Sequence, residues 1–305
     1  MLLKRRYNTN HSPYNHSIEG IPLVTSYGFS GDHNVLVMEL LGKSLETLFQ
    51  EHSKRFSLKT VCMLGIQMVR RIQWVHHKNI VHRDIKPDNF VMGLNNKSHI
   101  VYILDFGLSK KYYSVQAGKH IKFKLYKKLT GTARYASINA IRGGEQSRKD
   151  DLEAIGYVLI YFLKGVLPWQ GLRMRKNDDK YKVIYEKKRD TTCEELCEGC
   201  PNEFMEYVKY TRNLQWEEKP NYTYLCTLFG NVMKREGMEC DWCFDWMSEV
   251  PDVTGSLVDK YHTMEMEGEK KKGVKRSLTE RNEEDNNGDD NSDKKTKGKA
   301  GCVLV

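Results

Sequence analysis

The chain has 305 residues, a formal charge of +9 at neutral pH, and apolar and charged shares of 39% and 29%. These values exclude a collagen-like or wholly disordered polymer and leave room for one large domain or two small ones. No apolar run approaches the roughly 20 residues needed to cross a bilayer and MLLKRRYNTN has no apolar signal core, so a cytosolic protein is predicted, its positive charge pointing weakly to anionic partners.

Residues 1–20 are polar, rich in Asn, His and Ser, and without a period, and read as a variable N-terminal segment. From Ile21 to Leu41 the strand-like runs IPLVTSYGF and NVLVMELL flank SGDH, whose Gly and Asp form turns, so a hairpin is predicted. A helix-rich body follows to about Trp246. Ser57 caps a helix whose apolar residues Leu58, Val61, Met68, Ile72 and Val75 recur at three- and four-residue steps or their multiples. A second helix is predicted from Asp150 and Asp151, acids suited to the positive end of the helix dipole, through LEAIGYVLIYFL to a stop at Lys164 and Gly165. Being apolar nearly all round, it belongs at the centre.

Further on, Cys197 and Cys200 in LCEGC and Cys240 and Cys243 in ECDWC make two CxxC pairs. Such pairs can hold zinc, but about forty residues separate them, more than zinc sites use, and packed reduced thiols are the favoured reading. From about Gly255 charged and polar residues dominate, and a flexible tail is expected over 255–305. The tail ends Gly301, Cys302, Val303, Leu304, Val305 behind KKTKGK, the pattern of a prenylated cysteine with a polybasic second signal toward an anionic membrane surface. KKKGVKR offers a competing nuclear address.

The chemistry lies in IVHRDIKPDNFVMG and, shortly after, HIVYILDFGLSK. Phosphoryl transfer needs a carboxylate to orient the attacking hydroxyl, a cation near the moving phosphate, and oxygen ligands for Mg²⁺. Asp84, Lys86, Asn89 and Asp105 supply these in order: Asp84 as proton acceptor, Lys86 against the charge on the phosphoryl oxygens, Asn89 and Asp105 as metal ligands.

The segments VMELLGKSLETLF, HRDIKPDNFVMG, LDFGLSKKY, LTGTARYASINA, EQSRKDDLEAIGYVLIYFLKGVLPWQG and FDW resemble the casein kinase 1 family of serine/threonine protein kinases, in register from about Gly20 to Trp246. Ser137, Ile138 and Asn139 stand where most kinases have APE, a feature of that family. The resemblance implies an α+β protein-kinase-like fold with a mainly helical large lobe over 43–254 and, over 21–42, a small-lobe remnant with the hinge. It further implies ATP and Mg²⁺ as cofactors, Met38 as gatekeeper and Glu39, Leu40 and Leu41 as the adenine-binding hinge. Asp151 is expected to hydrogen-bond the backbone around His82 and Arg83. Protein substrates that are acidic or already phosphorylated are implied, with an anion site at Arg134, Gly171 and Lys180 and with Lys127 nearby. A monomer that does not bind nucleic acid is expected.

The sequence departs from the family at its start. Residues 1–20 hold no GxGxxG loop and no VAIK-like strand, and no helical Glu to hold a strand lysine can be placed. An incomplete gene model of an active kinase and a protein that has lost the lobe both account for this. The intact set Asp84, Lys86, Asn89, Asp105 favours the first. For the 305 residues alone, weak ATP binding and poor turnover are expected. The alternative to an enzyme is a catalytically inactive, membrane-tethered module that docks phosphorylated proteins.

Overall fold

The computed structural model of the protein describes residues 19–125, 128–173 and 179–254. The predicted hairpin forms: β1 (Val24–Ser30) and β2 (His33–Met38) pair antiparallel about Gly31 and Asp32, with Ser30 opposite His33. Neither face is covered among the described residues: Tyr27 and Phe29 are each 73% exposed and Leu36 54%. Leu23 exchanges hydrogen bonds with the amide and side chain of Glu39 (2.9 and 2.8 Å), closing the hairpin's base. Backbone bonds on either side tie it to the body: Gly20 accepts from Ile103 at 3.0 Å and Gly42 donates to Met92 O at 2.8 Å.

Helix α1 (Leu45–Glu51) starts at Ser44, whose hydroxyl accepts from Thr47 at 3.1 Å. Helix α2 (Leu58–His77) starts, as the sequence predicts, at Ser57, whose Oγ accepts from Thr60 at 3.2 Å. The cap is itself held by Asp245, which accepts from the Ser57 amide and hydroxyl at 2.7 and 2.6 Å, while Trp246 packs on Phe56. The FDW motif thus closes the body onto the start of α2.

After α2 come short strands in pairs: β3 (Ile80–Val81) with β6 (Lys110–Lys111), β4 (Phe90–Met92) with β5 (Val101–Ile103), and β7 (Tyr113–Ser114) with β8 (Lys119–His120). The helices α3 (Ile138–Ile141), α4 (Arg148–Lys164), α5 (Lys180–Asp190), α6 (Cys193–Leu196), α7 (Asn202–Asn213) and α8 (Tyr222–Arg235) follow. Helix α4 is central: α2 packs on α4 and α8, α4 on α7, and α7 on α8. Leu152, Ile155, Val158, Leu159, Ile160 and Phe162 are all fully buried, as its apolar circumference predicts.

Helix α4 begins two residues before the predicted Asp150. Asp150 lies inside the first turn and reaches back to accept from the amide of the cap residue Ser147 at 2.7 Å. The C-terminus falls as expected at Lys164, with Gly165 left-handed at φ 80°. The fold is α+β: a mainly helical body, the β1–β2 hairpin and short antiparallel pairs. No helix among the described residues is long and apolar enough to cross a membrane.

Candidate active site

Two ribbons fix the segment His82–Asn89 against Leu104–Ser109. β3 pairs with β6 and β4 with β5, so both ends of each segment are tied. Leu104 donates its amide to Asn89 O at 2.8 Å and accepts from His82 Nε2 at 2.9 Å. Asp105 therefore leaves the ribbon beside Asn89. Its backbone is left-handed at φ 62°, and its Oδ1 accepts from the Gly107 amide at 3.1 Å, the local turn an Asp can stabilise.

Asp84 is buried, 5% exposed, yet fully partnered. Its Oδ1 accepts from Thr132 Oγ1 at 2.8 Å; its Oδ2 lies 3.1 Å from Lys86 Nζ and accepts from Asn89 Nδ2 at 3.3 Å. Asn89 Nδ2 also donates to Asp84 O at 2.8 Å. This leaves Asn89 Oδ1 and one Asp105 oxygen without a hydrogen-bond partner among the described residues. These are hard oxygens of the kind Mg²⁺ takes, on residues whose backbones the Leu104–Asn89 bond brings together. Thr132 reaches Asp84 because Gly131 passes close over the loop: at φ 100°, a Cβ there would fall 2.2 Å from Arg83 O.

Beneath the loop sits Asp151, in the first turn of α4. Its Oδ2 accepts from the His82 amide at 2.8 Å and from His76 Nε2 at 2.9 Å, and its Oδ1 from the Arg83 amide at 2.8 Å. Arg83 takes a left-handed φ of 70°, so this grip holds a backbone conformation its side chain disfavours. Burial alone would raise the Asp151 carboxyl, but the hydrogen bonds it accepts from His76 and from the Arg83 backbone prevail and hold it below the usual carboxylate range. Burial lowers His76 despite Asp151, so the imidazole is neutral, donates from Nε2 and accepts from Tyr222 OH at 2.8 Å.

On the far side of Thr132, three segments meet at the Arg134 carbonyl. Trp169 Nε1 donates to it at 2.6 Å and Lys188 Nζ at 3.0 Å, and Lys188 also donates to Ala136 O. Lys188 is 0% exposed and lies over the rings of Tyr157 and Trp169, at 4.7 and 4.6 Å. Burial drives its pKa down, opposed by Glu153. Glu153 in turn accepts from the Ile138 amide at 2.9 Å and Tyr157 OH at 2.6 Å. Ser137 and Asn139 both donate to Asp150, at 2.6 and 3.2 Å, so the Ser-Ile-Asn segment is bolted to the start of α4.

The Arg134 side chain is exposed and lies near the rings of Tyr135 and Tyr161. Gly171 is exposed at φ 65°, two residues after Trp169, and Lys180 is exposed at the start of α5, whose cap is Asp179. Lys127 and Cys302 lie outside the described residues. In the linker after β2, Met38 is 40% exposed and Leu40 83%; Glu39 is tied to Leu23 and lies 3.7 Å from Lys97, while Leu41 is partly buried against Val91, Ile100 and Tyr102. Among the described residues no group of three or more His, Cys, Asp or Glu, the two CxxC pairs included, is arranged to hold a metal.

Residues 17–224 match the protein kinase domain family. The chain belongs to that family. The match takes in the whole constellation from Asp84 to Asp105, the Arg134 platform and most of the helical body of this kinase. Sequence reasoning on the kinase missed Thr132, His76, Glu153 and Lys188. His76 had a signal: it follows Ile72 by one helical turn on the buried stripe of α2. Lys188 sits in EKKRD, which reads as a solvated charge run, and only the buried Ile184 one turn earlier marks its face.

Proposed function

We propose that this protein kinase is a serine/threonine kinase of the casein kinase 1 type, transferring the γ-phosphate of ATP to Ser or Thr in acidic or already phosphorylated proteins. The observation that carries the proposal is the carboxylate of Asp84, buried but held open by Thr132, Lys86 and Asn89. In this reading Asp84 accepts the proton of the attacking hydroxyl, and Lys86 steadies charge on the transferred phosphoryl oxygens. Asn89 and Asp105 would hold Mg²⁺, which when bound neutralises phosphate charge. Met38 and Glu39–Leu41 line the adenine side. Arg134, Gly171 and Lys180, with Lys127, receive the substrate's phosphate or acidic group, an Arg fork being suited to bidentate contact. The bolting of Ser137 and Asn139 to Asp150 supports the subfamily. Cys302, lipidated behind its lysines, tethers the enzyme to a membrane.

A second reading, a phosphoprotein-docking module without turnover, draws on the exposure of Met38 and Leu40, which leaves the upper wall of an adenine cleft unbuilt by the described residues. Nucleotide binding separates the two. MgATP in excess is expected to raise the melting temperature, since ligand at about 100 times Kd adds about 2.7 kcal/mol, and Asp105→Ala to abolish the rise. No rise in the wild-type protein, with binding of a phosphoserine peptide that Arg134→Ala removes, would leave the docking module in place of the enzyme.

A further inference from the structure

A cluster of thiols stands apart from the kinase site. Cys193 opens α6, Cys197 follows that single helical turn, and Cys200 closes the next turn, its amide donating to Cys197 O at 2.9 Å. Cys193 and Cys200 are half-buried and Cys197 is 5% exposed. The cluster is not one of the metal-holding groups that cysteines often form.

The distinguishing feature is a cation on one sulfur. Arg212, in the last turn of α7, points Nη1 at Cys193 Sγ at 3.5 Å, with Nη1 also reaching Thr191 O at 3.3 Å and Nη2 reaching Tyr157 OH at 3.2 Å. Its Nε has no hydrogen-bond partner among the described residues, and the Nη1 contact sets the guanidinium directly against the sulfur. A guanidinium donating to a sulfur stabilises the negative charge that builds on that sulfur as it attacks an oxidant.

The second thiol lies one helical turn on: Cys197 donates its amide to Cys193 O at 3.0 Å. Residues so spaced have β-carbons about 5–6 Å apart, against the roughly 3.5–4.5 Å of a disulfide. Closing the gap asks α6 to loosen, and a four-residue helix has little cooperative strength to resist.

We propose that Cys193 and Cys197 form a peroxide-sensitive modification site, with Cys193 oxidised first and Cys197 resolving it to a disulfide. The Cys193 thiolate attacks one oxygen of hydrogen peroxide; the O–O bond breaks, and hydroxide leaves and is protonated to water, giving the sulfenic acid. Cys197, freed from its buried position as α6 loosens, loses its proton and attacks the Cys193 sulfur. The S–O bond breaks and hydroxide leaves with that proton as a second water. Two thiols are oxidised by two electrons and one peroxide is reduced. The order follows from burial, which with the neighbouring thiols pushes Cys197 up to about 12 and keeps it protonated while α6 is intact. This chemistry does not depend on the kinase being active.

The test treats the reduced full-length protein with equimolar hydrogen peroxide, alkylates the remaining thiols, and maps every cysteine by peptide mass spectrometry. A Cys193–Cys197 peptide lighter by two hydrogens is expected, forming before any change at Cys240 and Cys243, half-buried internal controls in the same molecule. In Cys197→Ser, dimedone should trap the sulfenic acid on Cys193. Arg212→Met should slow Cys193 oxidation by about tenfold, with Arg212→Lys, which keeps the charge, falling between. Cys193 reacting no faster than Cys243, or a Cys197–Cys200 disulfide forming equally well in Cys193→Ser, would overturn the proposal.

Discussion

Replacing Asp151 by alanine deletes one buried carboxylate and strands three donors: the amides of His82 and Arg83 and the Nε2 of His76. The carboxylate is 2% exposed, and water has little access to take its place. A buried donor left unpaired costs about 1–3 kcal/mol, and three are left here. The expected loss is therefore about 4 kcal/mol, a large share of the 5–15 kcal/mol typical of a folded domain. With a urea slope of about 3 kcal/mol per molar, the midpoint should fall by about 1.3 M at unchanged slope. Asp151→Asn keeps one acceptor and turns an amide toward the other donors, so it should lose about half as much. Urea unfolding followed by tryptophan fluorescence and by far-ultraviolet circular dichroism measures both. If the alanine variant unfolds within about 1 kcal/mol of the wild-type protein, or if asparagine costs as much as alanine, then the carboxylate is not what holds the His82–Asp84 backbone.

Two further outcomes follow from the same region. Gly131→Ala places a Cβ 2.2 Å from Arg83 O at a φ of 100°; it should cost at least about 2 kcal/mol and lower phosphate transfer by moving Thr132 off Asp84, and a wild-type urea midpoint would refute the close approach. Burial raises Asp150 from 3.8 to about 6 despite its hydrogen bonds from Ser137 and Ser147. Its folded pKa thus exceeds the unfolded one, so its contribution is complete below about pH 4 and is lost as pH climbs through about 6. The change is about 3 kcal/mol. The buried neutral His76 acts in the opposite sense, losing stability as pH falls below its unfolded value, and is common to both proteins compared. The stability of wild type minus that of Asp150→Asn should accordingly drop by about that amount from pH 4 to 7, whereas a flat difference would show that Asp150 is not protonated in the fold.

The elements whose evidence is local were legible. The caps and stripe of α2, the apolar circumference and Gly165 stop of α4, and the turn between β1 and β2 each lie within a few neighbouring residues. The contacts of Asp84 with Lys86 and Asn89 also join near neighbours in the chain. What stayed hidden are partnerships across sequence distance: Ser57 with Asp245, His76 with Asp151, Asp84 with Thr132. No local period encodes them, and a polar residue's partner is set by the packing of whole helices. Lys188 shows the extreme case, a lysine in a charged run that is sealed by two rings and two carbonyls. The hairpin forms where the sequence placed it, and no described element lies over its apolar residues.

Arg83 and Asp105 both carry side chains on backbone turned to positive φ, at 70° and 62°. Each such residue holds about 1–3 kcal/mol that relaxation would release. The polypeptide around Arg83 and Asp84 is in effect a sprung latch, with the α4 carboxylate as its catch. Mild heating or denaturant should therefore let the latch slip while α2, α4 and α8 stay packed, and phosphate transfer should fade at temperatures where the helical signal is still whole.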